Sequence, residues 1–309
     1  MSKPKIFIDG EHGTTGLLIR ELLRERGDVE VISIAADKRK DLSERKRLLN
    51  AVDLAVLCLP DDAARESVAM IENTSVRVID ASTAHRVAVG WTFGFPELTR
   101  QQSDLIRAST RVANPGCWST CFIALVRPLL DAGLMPAEFP FTTWGVSGYS
   151  GGGRQMIEAF ENADGANAKT KFIAYSLQLA HKHLPEMQHY TGIKHVPVFT
   201  PSVGAFRQGM LVEVPLALWS LPKPVTGLQL HDALAAHYAG CGFVTVKPYT
   251  TEPPTELSPE ALNNTNSLEL LVFANPKNQQ AVLLARLDNL GKGAGRATLQ
   301  NMSLMLGLV

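Results

Sequence analysis

The chain of 309 residues has no excess of either charge, no long apolar run and only four cysteines. Lys plus Arg and Asp plus Glu number 30 each, so no overall basic surface is offered to nucleic acid or to an anionic membrane. No stretch approaches the roughly 18 apolar residues that a membrane-spanning helix needs. The opening Met-Ser-Lys-Pro-Lys runs straight into a strand pattern, with no apolar signal region between. Cys58, Cys117, Cys121 and Cys241 have neither zinc-ligand spacing nor the density of a secreted disulfide scaffold. The expectation is a cytoplasmic protein with no metal site, no nucleic-acid partner and no membrane partner. What is present is ordinary for a soluble globular chain, 45% apolar and 19% charged residues. The length allows two domains, since single cores stop growing at about 250–300 residues.

The first third alternates strands and helices. Lys5-Ile-Phe-Ile-Asp9 reads as a buried parallel strand, and Leu17-Leu-Ile-Arg-Glu-Leu-Leu23 has helical spacing. Between them, Gly10, Gly13 and Gly16 with Thr14 and Thr15 form a glycine-rich turn. Strand, glycine turn and helix in this order suit a dinucleotide pyrophosphate: the backbone approaches closely and the helix N-terminus faces the charge. The spacing Gly-x-x-Gly-x-x-Gly differs by one residue from the usual fingerprint, and a tight turn without ligand is the alternative. A second strand over 29–34 leads to Asp37-Lys-Arg-Lys40. There Lys38, Arg39 and Lys40 suit the 2′-phosphate of NADP, whereas Asp37 would suit the 2′-hydroxyl of NAD. Strands over 53–59 and 76–79 follow, and put Leu59, Pro60 and Ser82 at the carboxyl ends that line a cofactor crevice. A short helix is expected from Pro96, and Cys58 reads as core.

The chain then reaches Asn114-Pro115-Gly116-Cys117, followed by ten residues with no breaker until Pro128. A rigid turn delivers a thiol to a helix start, where unpaired N–H groups and the helix dipole favour thiolate. Cys117 is therefore the candidate nucleophile, and Cys121, on an apolar stripe one helical turn later, is core. Past about residue 134, strand patterns predominate, over 141–146, 172–177, 195–199, 210–216, 243–246, 268–273 and 280–287. Only two helices are expected among them, over 154–161 and 228–238. Two loops there carry chemistry. Ser147-Gly-Tyr-Ser-Gly-Gly-Gly-Arg154 offers Ser150, Gly151 and Arg154 as an anion site, with a flexible linker as the alternative. His181-Lys-His183-Leu-Pro-Glu186 offers two imidazoles for acid–base work. A glycine-rich bend over 288–296 and an apolar helix over 294–306 return to the first domain. The expected fold is α/β: a doubly wound parallel sheet (1–116 and 288–309) plus an α+β domain on a mostly antiparallel sheet (117–287).

Asn114-Pro-Gly-Cys117 with an aromatic at 118, Thr120 and Pro128 resembles the active-site signature of the shorter N-acetyl-γ-glutamyl-phosphate reductases. Asp80-Ala-Ser-Thr83, Phe93-Gly-Phe-Pro-Glu97, Gly145-Val-Ser-Gly148, His181-x-His183-x-Pro-Glu186 and Asp288-Asn-Leu-Gly-Lys-Gly293 are similar to further motifs of that family, in the same order. Trp118, Ser119 and Cys121 depart from the family pattern but leave the turn and the thiol intact. The resemblance implies the fold of aspartate-semialdehyde dehydrogenase. It also implies NADPH-dependent reduction of an acyl phosphate through a Cys117 thioester, with either His181 or His183 as acid–base group. It adds Gly291 to the cofactor residues and Asn114 to the substrate residues, and it implies a homodimer or homotetramer. His85 and Arg86 are further polar candidates. Aspartate-semialdehyde dehydrogenase itself and a non-catalytic dinucleotide sensor are the alternative functions.

Overall fold

Apolar runs without alternation build the first sheet, because a parallel strand is covered on both faces. Ile6, Phe7 and Ile8 of Lys5–Asp9 (β1) are buried, as are all four residues of Leu54–Leu57 (β3). Glu30–Ile32 (β2), Arg77–Asp80 (β4), Thr92–Phe93 (β5) and Arg111–Ala113 (β6) complete a six-stranded sheet. Its order is β2-β1-β3-β4-β6-β5, and every pairing is parallel. The direction of winding reverses between β1 and β3, which is where sheets of this kind bind ligands outside the strand ends. The computed structural model describes residues 2–39 and 41–308, so Lys40 lies outside the described residues. It divides into unit 1, Met1–Gly116 with Ala294–Val309, and unit 2, Cys117–Gly293.

In unit 1 two apolar clusters cover the two faces of the sheet. Ile19 and Leu23 of Thr14–Arg24 (α1), Ile106 of Gln102–Ala108 (α4) and Met302 and Met305 of Arg296–Leu306 (α9) pack on Ile6, Ile8 and Val56. Leu48 and Leu49 of Leu42–Leu49 (α2) and Ala64 of Asp61–Ala69 (α3) pack on Phe7, Ala55 and Leu57. Two helices differ from the sequence expectation. The helix expected from Pro96 begins instead at Gln102, after a turn in which Leu98 N–H donates to the Phe95 carbonyl. The polar helix α2 was not expected. It starts because the Asp41 carboxylate accepts from the N–H groups of Ser43 and Glu44.

Unit 2 starts at Cys117–Asp131 (α5). Its sheet contains Thr142–Gly148 (β7), Phe172–Ala174 (β8), Val198–Gly204 (β9), Met210–Ala217 (β10), Val244–Val246 (β11), Leu268–Asn275 (β12) and Gln280–Leu287 (β13). The order is β11-β12-β13-β10-β7-β9-β8. The sheet is mixed but mostly antiparallel, with parallel pairs only at β7–β9 and β11–β12. Gly153–Glu161 (α6) and Gly227–His237 (α8) lie where expected. A third helix, Leu184–Thr191 (α7), occupies what read as a loop; Pro185 sits in its first turn, where the missing N–H costs nothing. The bend over 288–293 stays with unit 2, six residues later than the expected boundary. Asp288 holds it there by accepting from Asn264 N–H and from the Gln208 amide.

Pro128 lies inside α5 and leaves the carbonyl of Ala124, four residues earlier, without its helical donor. The Tyr238 hydroxyl donates to that carbonyl at 3.0 Å, so the helix runs on to Asp131. The bond satisfies a buried acceptor and ties the end of α8 to α5.

Candidate active site

In unit 1 the glycine turn is packed to exclude side chains. A β-carbon on Gly10, where φ is +90°, would lie 2.3 Å from the Cys58 carbonyl oxygen. One on Gly16 would lie 2.3 Å from the Gly10 carbonyl oxygen. Helix α1 has Gly13 at its N-cap and no side-chain cap, so the first-turn N–H groups from Thr14, Thr15 and Gly16 are left to an anion. Leu59 is half-buried and Pro60 exposed at the end of β3. Ser82 is buried; its N–H and hydroxyl both donate to Asp80, which also meets His85 Nδ1 at 2.6 Å. Lys38 and Arg39 are exposed just beyond β2. The cradle therefore fits a dinucleotide. Sequence reasoning missed Glu11. This buried carboxylate accepts from Ser33 at the end of β2 and lies 3.6 Å from Arg20. A charge inside a glycine turn was the signal for it.

Asn114 is buried and its side chain is committed within unit 1. Its Nδ2 donates to the Ala294 carbonyl and its Oδ1 accepts from Asn301, while Arg86 donates to its backbone carbonyl. These bonds fix the strand end that leads into the cysteine turn. They place Asn114 and Arg86 as supports of that turn.

In unit 2 Cys117 is the first residue of α5 and is half-buried. Trp118 beside it is buried, and its indole N–H donates to the Tyr175 hydroxyl at 3.1 Å. The loop after β8 turns back through Ser176 and Leu179, two non-glycine residues with φ of 55° and 57°. That reversal sets the His181 ring 5.8 Å from the Tyr175 ring, centroid to centroid. The backbone N–H of His183 donates to His181 Nδ1 at 3.2 Å. A neutral His181 then carries its proton on Nε2. His183 is buried at the N-cap of α7, with its Nε2 4.0 Å from Glu186. Gly293 packs on Cys117, since a β-carbon there would lie 2.6 Å from Cys117 Cβ.

Two of the remaining cysteines are held out of chemistry by burial. Burial, with Asp80 and Asp9 nearby, pushes Cys58 up to about 12, and burial likewise pushes Cys121 far up. Both are held as neutral thiols.

The candidate anion loop is compact. Ser150 is buried and its hydroxyl oxygen accepts from the Asn289 amide, which also approaches Gly151. Arg154 is 79% exposed and pairs with Glu158 on its own helix. Gly291 is a packing position, where a β-carbon would lie 2.2 Å from the Thr265 carbonyl oxygen. Next to it Lys292 is buried, with Nζ 5.4 Å from the Phe243 ring centroid; its place in Gly-Lys-Gly was the only hint. Among the described residues no three His, Cys, Asp or Glu side chains are placed to share a metal, and no helix is long and apolar enough to cross a membrane.

Residues 5–106 match the family described as semialdehyde dehydrogenase, NAD binding domain, and residues 117–289 match semialdehyde dehydrogenase, dimerisation domain. An N-acetyl-gamma-glutamyl-phosphate reductase of Mesorhizobium japonicum is 55% identical, over 99% of this chain and 100% of its own. One from Trichormus variabilis is 51% identical, over 100% of this chain and 98% of its own. Among solved structures, aspartate semialdehyde dehydrogenase II of Vibrio cholerae superposes with a TM-score of 0.74 over 99% of both chains. At 16% identity that likeness concerns the fold.

Proposed function

The chain belongs to the N-acetyl-gamma-glutamyl-phosphate reductase family, and from that premise we propose that it reduces N-acetyl-L-glutamyl 5-phosphate to the 5-semialdehyde in arginine biosynthesis. The observation that carries the reading is Cys117 at the start of α5 in the same unit as the His181–His183 pair. The Cys117 thiolate attacks the acyl carbon, a C–S bond forms, and phosphate leaves with the C–O bonding electrons. The resulting thioester splits one difficult step into two. A nicotinamide coenzyme, when bound, supplies hydride to the thioester carbon. His181 donates an Nε2–H hydrogen bond to the oxyanion that forms, and the oxyanion collapses to the aldehyde as the C–S bond breaks and its electrons return to sulfur as the thiolate. The N–H of His183 holds the ring in the tautomer this needs, so His183 is a positioning residue.

Gly10, Gly13, Thr14, Thr15 and Gly16 would hold the pyrophosphate, with Leu59, Pro60 and Ser82 along the nicotinamide side. The exposed cations Lys38 and Arg39 support NADP over NAD, as the 2′-phosphate needs free positive charge. Glu11 is already engaged by Ser33 and Arg20. Ser150 and Gly151, braced by Asn289, shape the loop we assign to phosphate, and Arg154 is its cation. A second copy of the chain fits the open face of the unit 2 sheet. Val198 and Trp144 are exposed there, and Leu211, Leu271 and Leu284 form an apolar cluster. A homodimer or a tetramer built from it is the proposed assembly. A nucleophilic thiol of this kind belongs in a reducing cytoplasm.

The test is phosphate-dependent reduction of NADP with N-acetylglutamate 5-semialdehyde, run beside aspartate semialdehyde. Turnover with the first is expected, and Cys117→Ser should abolish it while coenzyme binding, followed by fluorescence, stays near the parent value. No turnover by the parent, or turnover retained in the variant, overturns the reading.

A further inference from the structure

Four aromatic side chains close a ring beside the nucleophile. Trp118, next to Cys117, meets Phe199 edge-on at 5.2 Å; Phe199 meets His181 at 5.1 Å; His181 meets Tyr175 at 5.8 Å. The indole N–H of Trp118 closes the circuit by donating to the Tyr175 hydroxyl at 3.1 Å. Gly145 makes room for this, since a β-carbon there would lie 2.6 Å from the Trp118 ring.

An indole N–H can only donate, so the Tyr175 oxygen is the acceptor. The phenol's own proton is then left to point elsewhere, and among the described residues nothing accepts it. Burial first, and the neighbouring Cys117 second, hold the Tyr175 phenol well above its usual range. It stays neutral throughout the working pH range. Such a group is poor at transferring a proton but good at donating a hydrogen bond to a neutral oxygen. Trp118 and Phe199 meanwhile offer apolar ring surface beside it.

We propose that the Tyr175 hydroxyl donates to the amide carbonyl of the substrate's acylated α-nitrogen, which makes it a specificity residue for N-acyl substrates. The inference rests on the function proposed above. A free α-ammonium brings only donors, and the Tyr175 oxygen is already engaged by one. An N-acyl group brings the acceptor that this hydroxyl lacks, and a methyl that the rings can cover. Trp118, by fixing the direction of the hydroxyl, is a positioning residue for the same contact.

The experiment compares kcat/KM for N-acetylglutamate 5-semialdehyde with that for 5-oxopentanoate, which has the same reacting end and no acylamino group. In Tyr175→Phe the ratio should fall about tenfold, the loss of one buried hydrogen bond, and it should appear in KM. Trp118→Phe keeps an apolar ring and removes the N–H; the ratio should fall in the same direction by a smaller factor. An unchanged ratio in these variants overturns the proposal. So does an equal loss of kcat on both substrates with a displaced pH profile, which would put Tyr175 at the reacting atoms. If the parent enzyme does not turn over the N-acetylated compound, the proposed function fails and takes this inference with it. If it does and the ratio is unmoved, only the role of Tyr175 falls.

Discussion

Replacing Gly293 by alanine isolates the positioning of Cys117 from the chemistry proposed for it. The added methyl would lie 2.6 Å from Cys117 Cβ, 3.2 Å from the Asp288 carbonyl oxygen and 3.2 Å from Leu287 Cδ1. Carbon atoms rest at about 3.5–4.0 Å, so the first contact is short by about 1 Å. The neighbours cannot yield freely, because Leu287 is fully buried in β13 and Asp288 is fixed by Asn264 and Gln208. The strain falls on Cys117, the one half-buried member of the group. Overpacking of this kind costs about 1–3 kcal/mol of stability. A displacement of about 1 Å at a reacting atom costs about 10²-fold in rate. Gly293→Ala should therefore fold, melt somewhat lower, bind coenzyme near normally and lose about 10²-fold in kcat/KM. Calorimetry, coenzyme titration and the phosphate-dependent assay read these separately. A variant within threefold of the parent in kcat/KM would show that the packing of Gly293 does not set the position of the sulfur.

Two further perturbations test other parts of the structure. Lys38→Ala with Arg39→Ala should weaken NADPH binding by about tenfold or more and leave NADH binding nearly unchanged, as two exposed cations act on the extra phosphate; equal weakening of both refutes the 2′-phosphate assignment. Tyr238→Phe should lower the unfolding free energy by about 1–3 kcal/mol in denaturant titration, because the Ala124 carbonyl freed by Pro128 is left buried without a donor. No loss of stability would mean that the interruption of α5 is satisfied by other means.

What the sequence disclosed was local. The strand–glycine–helix start, the thiol at a helix N-terminus and the strand runs of the second unit all follow from short-range pattern, and each lies within a few residues of its expected place except β9, which ends five residues later than the expected run over 195–199. The unalternated run of β3 and the alternation of β10 were enough to separate a parallel sheet from a half-exposed one. The misses have two causes. Where the element is polar, hydrophobic period has nothing to report: α2 is set by the Asp41 cap and α7 by a proline in its first turn, both readable as start signals but not as period. Where the contact is distant, no spacing encodes it. Trp118 and Tyr175 are 57 residues apart, and Tyr238 and Ala124 are 114 apart. The cation at the start of α6 was legible in the sequence, but its setting was not: the Arg154 side chain lies mostly in solvent, paired with Glu158.

The two histidines were indistinguishable by spacing, and the structure separates them by what each is bonded to. His183 stands at the start of α7, where the backbone N–H groups have no helical partner. One of these, its own, is satisfied by His181 Nδ1. The bond therefore does two things at once: it closes a helix start that has no side-chain cap from His183 itself, and it fixes the tautomer of His181. The ring of His183 is turned into the protein, buried with Glu186 4.0 Å from Nε2. His181 is less buried and belongs to the aromatic ring that includes Trp118, the residue after the nucleophile. A group that must present an Nε2–H to an oxyanion in each turnover needs its other nitrogen held, its tautomer single and its edge accessible. His181 meets the first two conditions through a backbone that belongs to His183, and the third through its place in the ring. In the motif His-x-His the spacing of two is what lets the second residue's N–H reach the first residue's ring.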